Sequence, residues 1–295
     1  SSTTPFPVYP DGFPGRIVEA FEKASCRRVI GNVAASGTEI IELLGPEHLE
    51  TGALIVYTSA DSVFQVAAHL DVVPLEELYE ACRRAREILQ PPDGVGRVIA
   101  RPFTGSPGAF RRTPDRRDFS LPPPGTTLLD LLAAAGTPSM GIGKVDDLFA
   151  HRAISSAHVS SNREGLDLLE ERAGGPGGGL VFANLCDFDT LWGHRNDVQG
   201  FARGLEEVDT RLGAILRKLG RGDLFILTAD HGNDPTTPGT DHTREHVPLL
   251  VLSPGSKGAP LGTRTTFADV AATLAEYFGL PERFDASSFL GEVTG

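Results

Sequence analysis

The stretch Leu224-Phe225-Ile226-Leu227-Thr228-Ala229-Asp230-His231-Gly232-Asn233-Asp234 constrains this chain more than any other. An apolar run of strand length ends abruptly in Asp-His-Gly. Strands buried in a sheet are apolar, so a carboxylate and an imidazole at the carboxyl end are costly unless something offsets their desolvation. A divalent cation does that, and open α/β sheets gather ligands at this end of their strands. Adjacent strand residues point to opposite faces. Asp230 and His231 can therefore share one ion only if the chain turns there, which Gly232 permits.

A second run, Leu180-Val181-Phe182-Ala183-Asn184-Leu185, ends in Cys186-Asp187-Phe188-Asp189-Thr190-Leu191-Trp192-Gly193-His194. Asp189 and His194 again supply one oxygen and one nitrogen donor after a strand. With His242 they form a three-ligand set, the usual protein complement of a catalytic metal that keeps one position open. Asp230 and His231 then belong to a second ion, and two ions roughly 4 Å apart suit phosphoryl or sulfuryl transfer. The competing reading is a set of separate capped strand ends with surface histidines. Three histidines and two aspartates at two strand ends and one loop favour the metal centre.

Around these runs, strands and helices alternate. Arg28–Ile30, Leu54–Tyr57 and Val98–Ala100 read as strands, and Leu75–Leu89 reads as a helix with Leu78, Tyr79 and Cys82 on one face. A charged, proline-rich crossing follows, through Arg116-Arg117 and Leu121-Pro122-Pro123-Pro124. Beyond it come helix 127–135, strands 140–142, 180–185, 224–229 and 247–252, and helices 198–219 and 267–278. Such alternation predicts an α/β fold: a core with a mostly parallel sheet sandwiched by helices, and an inserted smaller α/β cap. The expected division is 1–8 as the end of a first core segment or linker, 9–117 as cap, and 118–295 as metal-binding core.

The net charge of −12 excludes nucleic acid as the expected partner, and no apolar run approaches the roughly 18 residues of a membrane span. Three scattered cysteines read as free thiols of a cytoplasmic protein. Cys186 stands beside the candidate ligands, but its expected role is packing. The run Gly174–Gly179 lacks the pattern and following helix of a phosphate-binding loop and reads as a flexible connection.

Several motifs together resemble phosphopentomutases, members of the alkaline phosphatase superfamily. They are Tyr9-Pro10-Asp11-Gly12-Phe13-Pro14, Ala35-Ser36-Gly37-Thr38-Glu39, Tyr57-Thr58-Ser59-Ala60-Asp61-Ser62, Gly96-Arg97 through Phe103, and Thr228–Asp234 with Asp241–Glu245. The resemblance implies two Mn²⁺ ions, one on Asp189, His194 and His242 and the other on Asp230 and His231. It also implies a phosphopentose substrate, with ribose 1-phosphate and ribose 5-phosphate interconverted through a phospho-Thr enzyme and a bisphosphate. The cap is then expected to close over the metals. Candidate substrate contacts are Ser36, Arg101 and Lys144, with Arg111 and Arg112 weaker. The chain departs from the family at its beginning. The first core strand with its metal-binding Asp, and the nucleophilic Thr, precede Thr4-Pro5-Phe6 in the family and have no match here. The expected chain is therefore a phosphopentomutase whose nucleophile segment lies elsewhere. The alternatives are a two-metal phosphohydrolase, a phosphoglycerate mutase, or a metal-binding fragment without turnover.

Overall fold

Leu54-Ile55-Val56-Tyr57-Thr58 and Val63–His69 show no polar alternation, and both become strands covered on two faces. The computed structural model describes residues 6–59, 62–240, 242–281 and 284–294. Thr4, Pro5, Asp61 and Asp241, which carry part of the family resemblance, lie outside these. The chain divides into two compact units, Ser1–Pro122 and Pro123–Gly295.

The first unit is built on a mixed sheet. Its strands are β1 (Val29–Ala34), β2 (Leu54–Thr58), β3 (Val63–His69), β4 (Arg97–Thr104), β5 (Arg111–Arg112) and β6 (Arg117–Ser120). They run in the order β1-β2-β3-β4-β5, with β6 also pairing β4. Helices α1 (Gly15–Ser25) and α3 (Leu75–Ile88) share one core with Leu54, Val56, Phe64 and Val66. Helix α2 (Gly37–Thr51) shares the other with Ile55, Tyr57, Ala67 and Phe103. Successive strand residues thus serve opposite faces, as strand geometry requires. The boundary expected at residue 117 falls later, because β6 pairs antiparallel with Arg97–Ala100 and carries the sheet to Ser120.

The second unit begins with α4 (Leu128–Ala134), whose Thr127 and Asp130 form a reciprocal capping box. Then follow β7 (Ser139–Ile142), α5 (Val145–Leu148), β8 (Ser155–Ala157), α6 (Asn162–Arg172), β9 (Leu180–Ala183), α7 (Val198–Lys218), β10 (Phe225–Thr228), β11 (Leu249–Leu252), α8 (Ala268–Tyr277) and α9 (Leu290–Thr294). Strands β8-β7-β9 form the expected parallel sheet. Strands β10 and β11 instead pair antiparallel in a sheet of their own. The described part of the segment joining them holds no helix, and a parallel pair needs a crossover, so the returning strand runs antiparallel.

Candidate metal centre

Asp189 is delivered by a π-helical turn, Phe188–Trp192, a rare conformation common at functional sites. Below the turn, Phe188 packs edge-on against Trp192 and Phe201. Gly200 and Gly204 of α7 admit the Trp192 ring; a Cβ at either would lie within 2.4 Å of an indole atom or closer. The side chain of Asp197 caps α7 by accepting from Gly200 N at 2.8 Å. The ligand-bearing turn is therefore clamped to a helix of 21 residues.

His231 and His242 come from two segments zipped together after β10. Gly232 and Thr243 form a bridge, with Thr243 N donating to Gly232 O at 3.0 Å. Asp234 N donates to Thr243 Oγ1 at 2.8 Å, and that hydroxyl donates to Glu245. Only glycine fits at 232, where a Cβ would meet the Glu245 carboxylate at 2.2 Å. The zipper stacks the two imidazoles with centroids 3.6 Å apart, and His194 lies 4.9 Å from His242.

Donor atoms of Asp189, His231 and His242 all fall within 4.8 Å of one another. His231 Nε2 stands 3.4 Å from Asp189 Oδ2 and 3.6 Å from Asp230 Oδ2, and His242 Nε2 stands 3.9 Å from Asp189 Oδ2. Asp189, His231 and His242 thus meet, with Asp230 beside His231 and the His194 ring beside His242. The tightest trio, however, contains His231 where the sequence grouped His194. His194 turns Nδ1 to the Thr240 carbonyl at 2.7 Å, and His231 turns Nδ1 to its neighbour Gly232 O at 3.1 Å. A ligating histidine ordinarily occupies its second nitrogen with such an acceptor, which leaves Nε2 for the metal. Burial and the adjacent His231 imidazole lower the His242 pKa, favouring the neutral ring that a metal requires. Carboxylate and imidazole donors, with nitrogens already oriented, fit a divalent cation.

Two residues at this centre escape a reading of the sequence. Asn233 donates from its amide to Asp189 Oδ1, fixing the carboxylate so that Oδ2 faces the histidines. Gly193 makes room for it, since a Cβ there would sit 2.2 Å from Asn233 Nδ2. Neither has a sequence signal beyond adjacency to a ligand.

Lys144 follows β7 and precedes α5, exposed at the carboxyl end of the parallel strands. Gly143 before it has φ +92°, and its Cβ position lies 2.5 Å from Asn184 O, so glycine is required. The Lys144 charge opposes the rise that burial imposes on the Cys186 thiol pKa.

Within the first unit, Ser36 is the N-cap of α2, where its hydroxyl accepts from Glu39 N at 3.3 Å. Arg101 is half-buried and donates from Nε to Gln65 Oε1 at 3.1 Å. It shares a cleft with Arg112, Thr113 and Arg116. Burial first, then the Arg116 charge, lowers its pKa, so these guanidinium groups feel one another. The nearby Tyr57 hydroxyl is buried without a hydrogen-bond partner among the described residues. Arg116 went unmarked in the sequence because it sits in an arginine-rich run. Arg111 is exposed on β5.

An α/β chain that gathers aspartates and histidines at its strand ends is a metalloenzyme with a divalent metal centre. The sequence profile described as Metalloenzyme superfamily matches residues 157–282. Over 98% of this chain and 74% of its own length, the phosphopentomutase of Caldanaerobacter subterraneus subsp. tengcongensis is 57% identical. The phosphopentomutase of Anaeromyxobacter sp. (strain K) is 60% identical over 97% of the chain and 74% of its own length. That of Clostridium novyi is 51% identical over 99% and 76%. The chain belongs to the phosphopentomutase family.

Proposed function

We propose that this protein interconverts ribose 1-phosphate and ribose 5-phosphate, and the corresponding 2-deoxyribose phosphates, in the cytoplasm. The observation that carries the reading is the convergence of Asp189, His231 and His242, with His194 and Asp230 beside them. Mixed imidazole and carboxylate donors suit Mn²⁺ or Zn²⁺, and membership of the family favours Mn²⁺. Asp189, His194 and His242 would hold one ion and Asp230 and His231 the second, with His231 close enough to Asp189 for the two sites to adjoin. Once bound, the ions neutralise phosphoryl oxygens during transfer.

The chain's own residues supply the remaining functions. Asn233 holds the Asp189 carboxylate in one orientation, and the Thr240 and Gly232 carbonyls hold the rings of His194 and His231. In the first unit, Arg101, Arg112 and Arg116 form an anion-attracting cleft in which planar guanidinium forks match phosphate geometry. Ser36 offers a hydroxyl beside the start of α2 in the same unit, and in the second unit Lys144 offers a point charge after β7. Free thiols at Cys26, Cys82 and Cys186 accord with a reducing compartment. No described helix is long and apolar enough to cross a membrane.

Two measurements test the reading. Metal analysis after dialysis should find bound Mn²⁺ that is lost in Asp189→Asn and in His242→Gln; retention unchanged in both variants would overturn that ligand assignment. Conversion of ribose 5-phosphate to ribose 1-phosphate should require Mn²⁺ and should fall sharply in Arg101→Ala. Unchanged turnover in that variant would remove Arg101 from the phosphate site.

A further inference from the structure

The three arginines of the first unit's cleft are held by unequal means. Arg101 stands on β4, a strand of eight residues paired on both sides, and donates to Gln65. Arg116 is gripped by Asp118, through Nε at 2.7 Å and Nη2 at 2.8 Å. Arg112 stands on less. It is exposed on β5, a strand of two residues that pairs with Phe103 and Thr104. So short a pairing is marginal by itself.

The loop before Arg112 supplies the missing support. Gly105 has φ +105°, and its Cβ position lies 2.5 Å from Ala109 O, so the turn from β4 to β5 is tight. The Gly105 carbonyl lies 3.0 Å from His69 Nε2. The Phe110 ring packs edge-on against Phe103, with centroids 5.2 Å apart. It also fills a notch on α2, where a Cβ at Gly45 would come within 2.4 Å of it. Three residues earlier, on the same face of α2, Glu42 spans the loop. Its Oε2 accepts from Gly108 N at 3.1 Å and its Oε1 from Phe110 N at 3.0 Å. Ionised acceptors make the stronger bonds, so this one carboxylate is a firm clamp on two backbone amides. Beyond Arg112, Thr113 N returns to Pro102 O at 3.0 Å.

We propose that Glu42 is a positioning residue for the anion cleft: by clamping Gly108 and Phe110 it fixes where the Arg112 guanidinium meets a sugar phosphate. This role presupposes that the cleft is the phosphate site. Glu42 acts through the loop backbone and not on the ligand, since both its oxygens are engaged by amides. Without the clamp the loop takes other arrangements, and Arg112 serves only the fraction of molecules in which the loop is in place. Apparent affinity then falls by that fraction. Arg101 and Arg116, held by their own contacts, still attract the anion.

The test is a double-mutant cycle on the whole chain, with the Kd for ribose 5-phosphate read from an NMR titration. The proteins are wild type, Glu42→Ala, Arg112→Ala and the double variant. Alanine suits a helix, so Glu42→Ala keeps α2, which circular dichroism verifies. Glu42→Ala should weaken binding about 5–10-fold, and Arg112→Ala by at least as much. The double variant should bind no more weakly than Arg112→Ala alone. A merely structural Glu42 would make the two losses multiply, and that result would overturn the proposal. Glu42→Gln, which keeps one acceptor, should fall between wild type and Glu42→Ala; binding unchanged in both Glu42 variants would equally overturn it. Hydrogen exchange at the Gly108 and Phe110 amides should quicken in Glu42→Ala. Arg101→Ala separates the two levels. If it binds as tightly as wild type, the phosphate reading of the cleft fails and the role of Glu42 falls with it. If it is weakened while Glu42→Ala is not, only the role of Glu42 falls.

Discussion

The two units spend similar apolar strands differently. In the first, every residue of β2 and β3 is buried, and helices pack on both faces. In the second, the β9 residues Val181 and Phe182 are 39% and 38% exposed, and Leu250 of β11 is 61% exposed. Among the described residues, strand β9 pairs only with β7, and β10 only with β11. Composition alone does not decide burial; a strand is covered only where a neighbouring strand or helix reaches it. The first unit derives its stability from a closed core, whereas the second holds its ligands through local zippers and caps.

The sharpest way to break this contrast is a matched pair of truncations. Phe64→Ala removes a fully buried ring between Phe13 and Phe21 and should cost about 3–5 kcal/mol. Phe182→Ala removes a ring that is already partly solvated and should cost less than half as much. Urea unfolding followed separately in each unit measures both, and equal losses would refute the contrast.

A smaller effect tests the second unit's dependence on local contacts. Asn233→Ala releases the Asp189 carboxylate and should weaken metal binding by about 10–100-fold, the usual consequence of losing a group that orients a ligand. Gly193→Ala should act in the same direction, because its methyl group displaces Asn233. Calorimetric Mn²⁺ affinities decide it, and urea unfolding of the first unit should not change in either variant.

The gentlest probe is pH. His48 is fully buried; its Nε2 accepts from His69 N at 2.8 Å and its Nδ1 lies 2.6 Å from Ala53 O. Burial, the largest cause, lowers its pKa in the folded chain. Between that lowered value and the ordinary value near 6.5, the unfolded chain binds more protons, so stability rises with pH. The first unit should therefore be fully stable above about pH 6.5 and lose stability as pH falls below it. His48→Gln, which keeps a hydrogen-bonding side chain but cannot titrate, should flatten that slope. A slope unchanged in the variant would show that another group controls it.

The parts visible in sequence share one property: their signal is local. Apolar runs ending in Asp-His or followed by Asp189 and His194 mark both strand ends and four of the five candidate ligands, because ligation demands those side-chain types; His242 comes from a loop. Strand β3 escapes because it pairs antiparallel to β2 through a connection that the pattern alone does not mark. Helix α2 escapes because Gly45-Pro46 reads as a break, yet the helix continues to Thr51. The close approach of His231 to Asp189 and His242 was likewise out of reach. It depends on the bridge between Gly232 and Thr243, a contact formed by folding rather than by spacing.

The seat of Trp192 has an experimental consequence. This is the chain's only tryptophan, and it lies in the same π-helical turn as Asp189 and two residues before His194. Its indole is wedged against Gly200 and Gly204 of a long helix, so any shift of the ligand turn changes the ring's surroundings. Emission excited at the tryptophan band therefore comes from a single location beside Asp189 and His194. The protein carries its own optical reporter of metal loading, with no competing indole anywhere in the 295 residues.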